Sequence, residues 1–197
     1  IKALIWPSIN KEKVENQMET WGFERPDDAG ELTRDGILSA VREYAALTRE
    51  GDTFLFYFAG HGLLADREPV LVTIAADSNT ESVDFIKVKE IQRAAANCKS
   101  QKKVMILDCC QEAKRKNRPA KDYKNVHELI RGWSILLASS PGEVSIEDQY
   151  FGSNKDDYLQ QGVFTGCLVE GLRGEAAGST GSVSLADLAY FGGKRAP

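Results

Sequence analysis

Residues 54–64 read FLFYFAGHGLL. Five apolar or aromatic residues run without a break into Ala59-Gly60-His61-Gly62. A continuous apolar run of this length suits a strand covered on both faces, as in parallel sheets. A second run of the same kind, KVMILDCC at 103–110, ends on Asp108, Cys109 and Cys110. Between and around them lie amphipathic segments. Thr33 predicts an N-cap for a helix to about residue 48, with Ile37, Leu38, Val41, Tyr44 and Ala45 on one face. Val88, Ile91, Ala94, Ala95 and Cys98 share another helical face. Residues 2–6, 70–75 and 133–139 read as further strands. Residues 14–21 read as a helix ending at Gly22, and 162–172 as a helix closed by Gly174. A Gly/Ser linker at 178–182 precedes a last short helix over 185–191. Strands alternating with helices predict an α/β fold with a mostly parallel central sheet.

The chain has 197 residues, which suits a single domain over 1–197. At 42% hydrophobic residues it can bury a sizeable core. A net charge of −4 argues against nucleic acid as the partner, because such proteins carry a basic stripe. The chain has no apolar run long enough to span a membrane, and the apolar run at 1–6 is too short for a signal peptide. Only Pro7-Ser-Ile-Asn10 separates the first strand from the first helix, so the connection is very tight or the sequence is incomplete there. Residues 111–132 are polar and basic and read as an exposed loop; residues 141–161 are polar and acidic and read as another.

Four cysteines, Cys98, Cys109, Cys110 and Cys167, match neither zinc-site spacing nor a disulfide scaffold. Free thiols in a reducing, cytoplasmic compartment are the expectation. Cys98 and Cys167 sit on apolar helix faces and read as core. Cys109 reads either as core or as a redox partner.

Ligands of open parallel sheets sit beyond the carboxyl ends of the strands. Here one such end delivers His61 and the other delivers Cys110. A histidine and a cysteine at neighbouring strand ends can act as base and nucleophile. The flanking glycines let substrate backbone approach, and the Gly62 N–H can meet a developing oxyanion. His127 has neither the glycine flanks nor the spacing and reads as a surface residue.

His61 and Cys110 are 49 residues apart, and caspases separate these two by about 50. FYFAGHG resembles the histidine motif of the caspase and metacaspase clan of cysteine peptidases (peptidase C14), and VMILDCCQ resembles its cysteine motif. WGF at 21–23, LLASSPGE at 136–143 and GVFTGCLVEGL at 162–172 resemble earlier and later landmarks of the same family in the same order. The resemblance is to a prokaryotic-type caspase-like domain. It implies a three-layer α/β/α sandwich around about six strands. It implies Cys110 as nucleophile, His61 as general base or acid, and the backbone N–H groups of Gly62 and Cys110 as oxyanion hole. Ser139 and Ser140 would lie on the strand that pairs with substrate, and Cys109 would point away. The departures are local. Gln111-Glu112-Ala113 stands where metacaspases have His-Ser-Gly, Ala59 replaces a frequent serine, and the early Asn-Asp pair is absent or falls on Glu12-Lys13.

The family cuts after a charged residue. Asp108 lies where metacaspases keep a pocket carboxylate, and Glu147 stands where caspases proper carry an arginine. Two carboxylates favour Arg or Lys on the substrate. Self-cleavage at Arg115, Lys116, Arg118 or Lys121 in the basic loop would follow from that preference. No cofactor or metal is expected; for calcium activation only Asp77 and Asp84 stand as generic loop acids. The implied partners are a protein or peptide substrate and a regulatory or sensor protein, with no nucleic acid and no membrane. Two rival readings remain. One is a non-catalytic caspase-like scaffold in a signalling or defence assembly. The other is a cysteine-dependent phosphatase, from Cys109 and Arg115 in Cys-x5-Arg spacing, although Glu112 and the lack of glycine would repel a phosphate.

Overall fold

A computed structural model describes residues 33–65, 68–74, 83–109, 112–113, 132–138, 147–148 and 161–195. The described residues divide between two compact units, one drawn from 33–54 and 70–103 and the other from 55–69 and 104–195.

In the first unit, helix α1 (Arg34–Leu47) begins where Thr33 caps it, the hydroxyl accepting the Gly36 N–H at 3.2 Å. Leu38, Val41 and Ala45 are buried, one helical stripe as the periodicity requires. At the far end the Thr48 hydroxyl donates to the Ala45 carbonyl at 2.6 Å and accepts the Lys99 N–H at 2.9 Å. Strand β3 (Glu68–Ile74) pairs antiparallel with β4 (Val83–Lys87), from Val70 opposite Lys87 to Ile74 opposite Val83. Helix α2 (Val88–Ala94) follows directly and continues as a 3-10 turn over Ala95–Asn97. Val88, Ile91 and Ala95 are buried, while Ala94 and Cys98 are half-buried. Glu90 holds the start of α2 by accepting the Lys87 N–H at 3.0 Å, and it pairs with Arg34 of α1. Ser100 is 1% exposed; its hydroxyl donates to the Asp52 carbonyl at 2.5 Å and accepts the Lys102 N–H at 3.0 Å.

The second unit carries most of β1 (Thr53–Gly60) and β5 (Lys102–Cys109), together with β7 (Ser134–Leu137), in the order β1-β5-β7. Strands β5 and β7 are parallel, from Val104 opposite Ser134 to Leu107 opposite Leu137. Met105, Ile106, Leu107, Asp108 and Cys109 are all buried, the signature expected of a strand covered on both faces. Strand β1 departs from that expectation. Leu55 is 57% exposed and Tyr57 42%, while Phe54 is buried. The alternation has the period of a strand, which sets Leu55 and Tyr57 on one face and Phe54 on the other. Of six expected strands, the described residues supply three to this sheet. The strand expected at 2–6 and the helix at 14–21 lie outside the described residues.

Each of the two segments expected as loops, 111–132 and 141–161, contributes to a short strand pair. Strand β2 (Gly62–Ala65) pairs parallel with β6 (Glu112–Ala113), and β8 (Glu147–Asp148) pairs antiparallel with β9 (Gln161–Gly162). Such short ladders satisfy backbone groups that polar side chains do not announce. Strand β4 is a further addition to the expected set, because VDFIK shows no clean alternation.

Helix α3 (Val163–Glu170) leads into a π-helical turn at Gly171–Glu175, ended by Gly174 at φ +116° as its glycine predicts. Helix α4 (Leu185–Arg195) runs one turn beyond the expected 185–191. Ser184 and Asp187 open it by exchange: the Ser184 N–H reaches Asp187 Oδ2 at 2.9 Å and the Asp187 N–H reaches Ser184 Oγ at 3.1 Å. The two helical segments approach closely at Gly171, where a Cβ would stand 2.8 Å from Leu188 Cδ2. The Gly/Ser segment before α4 is a hydrogen-bonded turn, with Gly181 N–H on the Gly178 carbonyl at 2.9 Å.

Candidate active site

The site is built from strand ends of the second unit. Strand β1 stops at Gly60, whose φ is +156°. A Cβ at that position would stand 3.2 Å from the Phe58 ring, so glycine is the residue that fits. His61 comes next and is exposed; Gly62 opens β2. Strand β5 ends at Cys109, one residue before Cys110, which lies outside the described residues. The register of β2 with β6 sets Leu63 opposite Glu112. Leu63 is two residues beyond His61, and Glu112 is two residues beyond Cys110. The chain segments leaving the two candidate residues are therefore paired in step.

Asp108 is the polar member of the buried β5 run, at 8% exposed. The Thr165 hydroxyl, on the first turn of α3, donates to its Oδ2. The Tyr57 hydroxyl lies 2.6 Å from Thr165 Oγ1. A threonine has one hydroxyl proton, so with that proton on Asp108 the bond from Tyr57 must be donated by the phenol. Burial pushes the Tyr57 phenol up, the bond to Thr165 opposes it, and the Asp108 charge adds to the rise. Tyr57 therefore stays a protonated donor at neutral pH, as the relay requires.

For the other expected substrate-side residues, the structure describes the backbone that leads to them. The Ala138 N–H reaches the Leu107 carbonyl at 3.0 Å, carrying the β5–β7 ladder to the residue before Ser139. Ser139 and Ser140 lie outside the described residues. Glu147 belongs to β8 and pairs with Gly162, three residues before Thr165. A profile of the caspase domain matches residues 3–188 of the chain. The chain belongs to the caspase-domain family of peptidases. No curated protein matches it significantly.

Within this caspase domain the remaining thiols have structural surroundings. Cys109 is buried at the end of β5, and Cys167 is buried on α3. Burial and the Glu170 charge push the Cys167 thiol up, against a smaller pull from Arg195, which makes it a poor nucleophile. Cys98 is half-buried, 3.4 Å from the Thr48 hydroxyl. Asp84 accepts the neighbouring Phe85 N–H at 2.7 Å. Asp77, Arg115, Lys116, Arg118, Lys121 and His127 lie outside the described residues. Among the described residues no three His, Cys, Asp or Glu side chains cluster to hold a metal ion, and no helix is long and apolar enough to cross a membrane.

Tyr57 and Thr165 are the partners of Asp108 that the sequence alone does not single out. Thr165 carries a faint signal, a hydroxyl between Phe164 and Gly166 at the start of an apolar helix. Tyr57 carries none, since an aromatic residue in a strand is ordinary.

Proposed function

We propose that this caspase domain is a cysteine endopeptidase that cuts after Arg or Lys. The Cys110 sulfur attacks the scissile carbonyl carbon, and the carbonyl oxygen becomes an oxyanion held by the Gly62 and Cys110 N–H groups. His61 takes the thiol proton and returns it to the leaving amine as the C–N bond breaks. Water, giving its proton to His61, then cleaves the thioester and restores the thiol. Substrate adds beside the Ser139-Ser140 segment, and its basic side chain meets Asp108, with Glu147 nearby. The reading includes the six-stranded three-layer sandwich of the family, a single catalytic domain, no cofactor, and a cytoplasmic setting with protein or peptide substrates.

The observation that carries it is the β2–β6 register, which pairs the residue two beyond His61 with the residue two beyond Cys110. The buried Asp108 carboxylate two residues before Cys110 supplies the charge argument. A guanidinium can meet a carboxylate through two parallel bonds, so Arg should be preferred over Lys and Asp rejected. The test is a peptide series differing only at the residue before the cut, run on the wild type, Cys110→Ala and Cys109→Ala. We expect Arg above Lys, no turnover of Asp, a loss of about 10⁴-fold or more in Cys110→Ala, and activity kept in Cys109→Ala. Asp cleaved faster than Arg would overturn the specificity; activity lost only in Cys109→Ala would overturn the nucleophile.

A further inference from the structure

Asp108 meets three constraints at once. It ends an apolar strand, it is 8% exposed, and its Oδ2 accepts from a hydroxyl on another element. That hydroxyl, Thr165 Oγ1, is itself held at 2.6 Å by Tyr57 on β1. The three residues lie 51, 57 and 108 positions apart in pairs, on β1, β5 and α3. All belong to the second unit.

We propose that Thr165 and Tyr57 are positioning residues for substrate recognition: the Tyr57–Thr165–Asp108 relay fixes the plane of the carboxylate that receives the basic side chain of the substrate. This rests on the peptidase reading and deepens its specificity. The physical reason is geometric. A carboxylate turns freely about its last side-chain torsion, where the energy wells are broad. A two-bond match to a guanidinium needs the two planar groups aligned. The Thr165 hydroxyl on Oδ2 restricts that freedom. Thr165 could not do so alone, because its hydroxyl also rotates. The Tyr57 donor occupies the Thr165 lone pair and so directs the Thr165 proton toward Asp108. The raised Tyr57 pKa keeps that donor in place across the working range of a thiol enzyme.

A relay of this kind acts on binding more than on bond cleavage, and on Arg more than on Lys, because a single ammonium needs no planar match. A hydroxyl that merely satisfied a buried acid would show neither preference. The experiment uses the full chain with Arg and Lys peptides otherwise identical, comparing wild type, Thr165→Val, Thr165→Ser and Tyr57→Phe. The rate of Cys110 alkylation by iodoacetamide, which needs no pocket, is read in parallel. In Thr165→Val we expect KM for the Arg peptide to rise about tenfold or more, the loss typical of a bond to a charged group. The Arg over Lys preference should shrink toward one, and the alkylation rate should stay within about twofold, since the thiol is untouched. Thr165→Ser, which keeps the hydroxyl, should return KM to within about threefold of wild type, and Tyr57→Phe should shift it the same way by about threefold, a neutral bond's worth. The proposal is overturned if Thr165→Val leaves KM and the Arg over Lys ratio unchanged. It is equally overturned if Thr165→Val lowers alkylation and turnover together and serine fails to rescue them, which marks a role in packing. A wild-type chain that cleaves no peptide yet alkylates at Cys110 removes the peptidase reading itself, an outcome separate from either of these.

Discussion

The first unit uses its polar side chains to close helices and tie backbone to backbone, and the strand ends of the second use theirs on one buried carboxylate. Thr33 bonds Gly36, Glu90 bonds Lys87, and Ser100 bonds Lys102, all within three residues. Asp108 bonds Thr165 at a separation of 57, and Thr165 bonds Tyr57 at 108. Bonds of the first kind start and stop helices and strands. Bonds of the second kind exist only once the sheet and helix α3 are assembled, and they hold a buried carboxylate at the end of β5. The difference teaches that a long-range bond points to a site where it holds a buried carboxylate, and not where it ties backbone groups together. In the first unit the long-range bonds of Thr48 with Lys99 and of Ser100 with Asp52 meet backbone groups, and Arg34 to Glu90 joins two helices and leaves the carboxylate on a cation.

Breaking the long-range region should cost function, and breaking the local one should cost stability. The largest expected effect is at Asp108. Asp108→Ala should lower kcat/KM for an Arg peptide by about 100-fold, the value of a charge-assisted pair out of bulk water, and Glu147→Ala by about tenfold. Steady-state kinetics on the two variants check the order. Equal losses, or a larger loss at Glu147, would move the centre of the pocket to β8.

The smallest effect is at Glu90. Burial pushes its carboxyl up, but the Lys87 N–H and the Arg34 guanidinium outweigh that and hold it below its ordinary value. A carboxylate whose folded pKa is depressed stabilises the fold above its unfolded pKa and loses that contribution as pH falls through the folded value. Its side chain is 25% exposed, so the pair is worth about 1 kcal/mol at most. Glu90→Gln should therefore unfold about 1 kcal/mol more easily at pH 7, with the gap closing once the pH is well below 4.5, and turnover should be unchanged. Urea titrations at the two pH values measure this; a gap that persists at low pH would assign the effect to packing.

The sequence makes the local region legible for the same reason that it is local. Thr33 and the stripe Leu38, Val41, Ala45 mark α1 to within a residue of its ends, and Gly174 marks the close of the α3 segment. The β5 strand is readable because its buried residues are contiguous. At the strand ends only outliers are readable: a histidine between glycines, and an aspartate ending an apolar run. Their partners are not. Thr165 and Tyr57 are common residues whose meaning depends on which atoms the fold brings beside them. The pairs β2–β6 and β8–β9 are hidden as well, because two-residue ladders leave no periodicity to detect.

The central claim is that His61 and Cys110 act on one another. It is tested most directly by the pH dependence of Cys110 alkylation, located by peptide mass mapping, in the wild type and in His61→Ala. An ordinary thiol reacts appreciably only near its pKa of about 8.5, whereas a histidine-paired thiol reacts well below it. The account predicts label on Cys110 ahead of Cys98, Cys109 and Cys167, persisting at acid pH in the wild type and shifted to the ordinary range in His61→Ala. Label that favours another cysteine, or a Cys110 profile that is the same with and without His61, would contradict it.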